Sequence, residues 1–121
     1  MILSFRELIV WQRSMQLVKE VYRLVGFLPP DERYALSDQL RRAVVSIPSN
    51  IAEGYARKYQ KEYVNFLSIA LGSNAEVETQ LLICDELGYI RQEEMKVAFS
   101  LVEEVRKMLI KMRRSILGTE P

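Results

Sequence analysis

The stretch "SIPSNIAEG", Ser46 to Gly54, decides how this chain folds. It sets a proline, a glycine and polar Ser46, Ser49 and Asn50 among turns that otherwise repeat apolar residues. Read as a loop, it cuts the helical pattern in two. Read as helix, it leaves four long helices. Leu36, Leu40, Ala43, Ile47 and Ile51 step by 4, 3, 4 and 4, and the register survives Pro48. A segment that needed only a loop has no reason to keep it. The spacing therefore predicts one helix over 32–57, kinked at Pro48. There the missing N–H gives up the bond to the Val44 carbonyl. Interior proline costs about 3 kcal/mol and interior glycine about 1 kcal/mol, so the stretch needs a compensating purpose.

Three further segments carry helical periodicity. Over 5–26, Leu8, Trp11, Met15, Val18, Tyr22 and Val25 form one stripe, with Ser4 and Glu7 as a capping box and "FLPPDE" as the stop. Over 60–87 the stripe is Tyr63, Leu67, Ala70, Asn74, Val77, Leu81 and Cys84, ended by Gly88. Over 92–117 it is Met95, Ala98, Val102, Val105, Leu109, Met112 and Ile116, ended by Gly118 before a short "TEP" tail. At 1.5 Å per residue each helix spans about 30–40 Å. Matched lengths and short connections predict a single all-α domain over 1–121, an up-down-up-down antiparallel four-helix bundle. Repeats, low-complexity runs and strand alternation are not apparent.

Composition narrows function. The 121 residues are 49% apolar and 27% charged, a globular balance. No apolar run nears the roughly 18 residues of a membrane span, and the start "MILSFRELIVWQRS" is charged too soon for a secretory signal. A cytoplasmic protein without membrane contact is expected. Histidine is absent, which removes the commonest general base and metal ligand. The lone Cys84 lies on an apolar stripe, where a thiol is inert. Accordingly no catalytic residue, metal or cofactor is expected, and an enzyme ranks third among the readings.

Three features carry the functional readings. Val10, Leu17, Val21 and Leu24 adjoin the first helix's stripe and widen its apolar arc to roughly 200°. Either the bundle buries this helix deeply, or these four form a protomer interface; the interface is the expectation. Second, "YARKYQKEY" interleaves Tyr55, Tyr59 and Tyr63 with Arg57, Lys58 and Lys61, and Arg41 and Arg42 lie upstream. A solvated helix junction with snorkelling side chains is the first reading; the alternative is a nucleic-acid contact, since cations neutralise phosphates and tyrosines stack on unpaired bases. Net charge is only +1, split as +3 over residues 1–60 and −2 over 61–121. The cationic run "RKMLIKMRR" reads as the polar face of the last helix. Third, Arg42, Ser46, Asn50, Glu53 and Arg57 form a polar stripe. Ser73, Asn74 and Glu76 on the third helix are its expected partners, with Gly72 allowing close approach. An internal network of Arg42, Ser46, Asn50, Glu53, Ser73, Asn74 and Glu76 would fix the packing; a ligand pocket is the alternative.

The residues also resemble a family. "VWQRSMQLVKEVYRL", "LRRAVVSIPSNIAEG" and "ALGSNAEVETQL" resemble the bacterial four-helix bundle proteins encoded within intervening sequences of 23S ribosomal RNA genes. The likeness runs from the first helix to the end of the third. It implies a four-helix bundle and a homo-oligomer, a pentameric ring or barrel. It also implies kinship with the accessory protein of diversity-generating retroelements, a markedly basic relative associated with nucleic acid and a reverse transcriptase. RNA or DNA, and a reverse transcriptase or other protein, are thus the partners the resemblance suggests. Arg42, Ser46, Asn50, Glu53 and Gly54 carry over as a signature with no catalytic role. The function expected is a non-enzymatic oligomeric accessory protein that contacts nucleic acid through Arg41, Arg42, Arg57, Lys58 and Lys61. The alternative is an oligomeric protein scaffold without nucleic-acid contact.

Overall fold

The computed structural model describes residues 4–118; the "TEP" tail and the first three residues of the expected domain lie outside them. Four α-helices follow in order: α1 (Ile9–Val25), α2 (Leu36–Tyr55), α3 (Gln60–Glu86) and α4 (Gln92–Leu117). Around the bundle α1 packs on α2 and α4, and α3 packs on the same two, the α2–α3 pairing being the most extensive. No strand occurs among the described residues.

The helix ends differ from expectation at two N-termini. Ser4 caps a short 3-10 turn, Phe5–Glu7, by accepting from the Arg6 N–H at 3.2 Å. Leu8 is then extended, so α1 starts at Ile9 and not at Phe5. The turn is held by the Phe5 ring meeting Trp11 edge-on at 5.3 Å. Likewise Pro30–Glu32 forms a 3-10 turn and α2 starts at Leu36. There the Glu32 carboxylate accepts the Leu36 N–H at 3.3 Å and the Tyr89 hydroxyl at 2.9 Å, tying the α1–α2 connection to the α3–α4 connection. Gly88 closes the end of α3 in the left-handed region at φ 71°, a conformation that costs glycine nothing.

α2 runs unbroken through Pro48, which excludes the loop reading of Ser46–Gly54. Pro48 is buried beside Ile47 and Ile51, so its ring contributes packing where its missing N–H forgoes a bond.

The core corrects the reading of the first helix. Val10, Leu17, Val21 and Leu24 are buried in the protomer, the last three at 0% exposure. They cannot serve as an interface. The adjoining stripe expected inside lies at the core's margin instead: Leu8 is buried, Trp11, Val18 and Val25 are partly buried against the core, and Met15 and Tyr22 are 43% and 49% exposed. Both stripes are apolar, so period alone does not rank them; the position of α2 and α4 does. The core lines of α2, α3 and α4 match expectation from Leu40 to Ile51, Leu67 to Cys84 and Met95 to Leu109.

Candidate functional site

The Ser46–Gly54 stretch meets α3 through two contacts. The Ser46 and Ser73 hydroxyls hydrogen-bond at 2.8 Å, and the Asn50 amide donates to both the Ser46 hydroxyl (2.9 Å) and the Ser46 carbonyl (2.8 Å). One turn on, Gly54 lies so close to α3 that an added Cβ would sit 2.9 Å from Phe66 Cβ and 3.0 Å from Tyr63 Cδ1. The close-approach glycine is thus Gly54. Gly72, expected in that role, is exposed with nothing within 4 Å of an added Cβ.

The expected seven-residue network contracts to Ser46, Asn50 and Ser73. Asn74 turns toward α4, where its amide donates to the Val102 carbonyl at 3.0 Å. Its Oδ1 has no hydrogen-bond partner among the described residues. Arg42 and Glu53 stay at the surface in ion pairs along α2, to Asp38 (3.0 Å) and Arg57 (2.8 Å). Glu76 is exposed. The reason is charge: a carboxylate or guanidinium keeps its water unless fully paired, whereas hydroxyls and amides satisfy each other inside.

The tight Gly54 contact fixes the connection Ala56–Tyr59, which carries Arg57, Lys58 and Tyr59. Arg57 lies over the Phe66 ring, 4.9 Å from its centroid, and Lys58 Nζ lies 5.7 Å from that of Tyr59. Tyr55 and Tyr63 meet edge to face at 6.2 Å across the α2–α3 hairpin. Burial raises the Tyr63 hydroxyl's pKa above its ordinary value, with Tyr55 adding to the shift. A groove of about 530 Å³ opens here, lined by Arg57, Lys61, Glu62, Val64, Asn65, Phe66 and Ser68. From α4, Arg113 reaches the Ser68 hydroxyl at 3.3 Å. Lys61, Lys111 and Arg113 have no carboxylate partner among the described residues. The N-terminus of α3 carries no side-chain cap, leaving first-turn N–H groups facing the same end.

The antiparallel packing sorts charge along the bundle. The Ser46–Ser73 and Asn74–Val102 contacts mark its middle. The half holding residues 4–17, 46–73 and 102–118 has ten Lys/Arg and five Asp/Glu, a net +5. The half holding 18–45 and 74–101 has seven and ten, a net −3. The two linear halves of the sequence concealed this polarity.

The five cations expected to act together are divided by this arrangement. Arg57, Lys58 and Lys61 are at the basic end. Arg41 and Arg42 lie in the acidic half, about 24 Å away along α2 at 1.5 Å per residue. Arg41 donates to the Arg33 carbonyl at 3.4 Å and Arg42 pairs with Asp38. The cations missed at this end are Arg113, which meets α3 at Ser68, and Lys111, which lines a groove with Leu8, Val10 and Tyr63. Their signal was the "RKMLIKMRR" run, and laying the fourth helix antiparallel to the third would have brought its C-terminal part to the start of the third helix.

A second surface feature is apolar. Trp11, Met15 and Val18 of α1 and Val45, Pro48 and Ala52 of α2 line a groove of about 340 Å³, and Val45 is 41% exposed. Among the described residues no helix is long and apolar enough to cross a membrane.

Comparison with known proteins agrees with the fold. The family described as 23S rRNA-intervening sequence protein matches residues 6–111. A solved structure from Bacteroides thetaiotaomicron VPI-5482, described as a protein with unknown function from the S23 ribosomal protein family, is similar with a TM-score of 0.81 and 26% identity, covering 88% of this chain and 99% of that one. No curated protein matches the chain.

Proposed function

This chain belongs to the 23S rRNA-intervening sequence protein family, and from that premise we propose that it is a non-enzymatic, oligomeric accessory protein of the cytoplasm that holds nucleic acid by its phosphates. The observation that carries this reading is the basic end, where three segments distant in sequence bring ten cations against five carboxylates. Arg57 and Lys61 line the groove whose Ser68 is reached by Arg113 from α4, and Lys111 lies on the α1-facing side of the same end, in a groove with Leu8, Val10 and Tyr63. Phosphate binding releases condensed counterions, so affinity falls steeply with salt. The contacts place the backbone without reading bases, which fits weak sequence preference.

The test is a gel shift at low salt on structured RNA and duplex DNA. Reversing Lys61, Lys111 and Arg113 to Glu together abolishes the shift, whereas reversing Arg41 and Arg42 leaves most of it. Wild-type protein that shifts neither nucleic acid at low salt ends this reading.

A second reading, a protein scaffold, is favoured by the apolar α1–α2 groove. Self-association belongs to both readings. We place it on Trp11, Met15, Val18, Tyr22 and Val45, which are apolar and at least partly exposed, with the pentamer suggested by the family as the expected assembly.

A further inference from the structure

We propose that the basic end selects single-stranded over duplex nucleic acid, with Tyr59 and the Arg57–Phe66 pair as its base-stacking surfaces. This rests on the phosphate-binding reading above and names the ligand class of the same site. Phosphate affinity alone would need only cations. The connection between α2 and α3 instead alternates cation and ring: Arg57 over Phe66 at 4.9 Å, then Lys58 beside Tyr59 at 5.7 Å. Tyr59 is 62% exposed, and its position ahead of α3 involves no capping hydrogen bond from its side chain. This leaves much of a large ring open at the surface of a four-residue turn, beside two cations. Arg57 presents its guanidinium as the outer layer on Phe66, with its side chain 42% exposed. Planar guanidinium and phenol both take the π-face of a base.

A duplex cannot use these surfaces, because its bases are already stacked on each other. Nor does the end offer a device for a duplex groove. α2 and α3 are joined in a hairpin and flanked by α1 and α4, so no helix projects alone to enter a major groove. An unpaired strand can lay its phosphates along Lys61 and Arg113 while successive bases cover Tyr59 and Arg57. Base–aromatic stacking is tolerant of sequence, which agrees with a site that has cations and rings but few amide side chains.

The experiment is fluorescence anisotropy on the full chain. The probes are a labelled uridine strand of about 12 nucleotides, within the site sizes of single-strand binders, and the same strand annealed to its adenosine complement. The single strand is expected to bind at least about tenfold tighter than the duplex. Tyr59→Ala lowers single-strand affinity about tenfold and leaves duplex affinity unchanged, and Tyr59→Phe restores it. Lys61→Ala weakens both and flattens the salt dependence. Circular dichroism of each variant confirms the fold. Equal binding of strand and duplex, or a neutral Tyr59→Ala, overturns the single-strand preference while leaving phosphate binding intact. Loss of both interactions at low salt in the wild type overturns the two readings together.

Discussion

Gly54 and Phe66 meet across the α2–α3 hairpin with no room for a side chain on the glycine: a Cβ there would fall 2.9 Å from Phe66 Cβ. This contact holds the end of α2 against the start of α3 and so sets the turn that carries Arg57, Lys58 and Tyr59. It also accounts for a glycine inside a helix, where it costs about 1 kcal/mol against alanine.

Gly54→Ala and Gly72→Ala should therefore move stability in opposite directions. At Gly54 the propensity gain is outweighed by overpacking, which typically costs 1–3 kcal/mol. At Gly72 nothing lies within 4 Å, so alanine gains up to about 1 kcal/mol. Urea denaturation of both variants checks this; a stabilised Gly54→Ala would contradict the close approach.

Asn74 is buried with one amide hydrogen bond made and its Oδ1 orphaned. Asn74→Leu removes both groups together and should leave stability equal or raised by about 1 kcal/mol. Asn74→Asp points a carboxylate at the Val102 carbonyl and should cost about 3 kcal/mol or more near neutral pH. Its folded pKa would be raised by burial, so the deficit should shrink below the unfolded carboxyl pKa and grow above it. Urea midpoints at pH 4 and pH 8 separate the two variants.

Cys84 supplies a pH dependence of the native protein. Burial pushes its thiol up to about 11 from an ordinary 9.0, with the Glu32 charge adding to the shift. A raised folded pKa means that the stabilisation is complete below the unfolded value and is lost as pH rises through the folded one. Between about pH 9 and 11 the chain should lose about 2–3 kcal/mol through this group. Tyr63, raised by burial, adds in the same direction at higher pH. Cys84→Ala should flatten the slope of the urea midpoint over that window; an unchanged slope would show that the thiol is not the cause.

If the proposed assembly uses the α1–α2 surface, Met15→Glu combined with Val45→Lys should leave only monomers in light scattering at micromolar concentration, where the wild type is expected to be oligomeric. Both side chains are more than 40% exposed, so the bundle itself should keep its urea midpoint within about 0.5 kcal/mol of unfolding free energy. Leu17→Glu is the contrasting variant: Leu17 is fully buried, and it should fail to fold.

By itself the sequence determined the four helices, their antiparallel order and most of their buried lines. Those follow from apolar spacing and from Pro and Gly stops, which are local properties of the chain. The continuity of α2 through Pro48 was legible the same way, from Ile47 and Ile51 staying in register. Tertiary structure decided three other things. It chose which apolar stripe of α1 goes inside, because Val21 and Tyr22 are one residue apart and only the flanking helices distinguish them. It reduced the polar stripe to Ser46, Asn50 and Ser73, because neutral groups can satisfy one another under a helix contact while Arg42, Glu53 and Glu76 retain their water. And it built the basic end by folding Arg113 beside Ser68, 45 residues earlier in the chain. Charge acts through space, so a site assembled from helix ends is invisible until the ends are brought together.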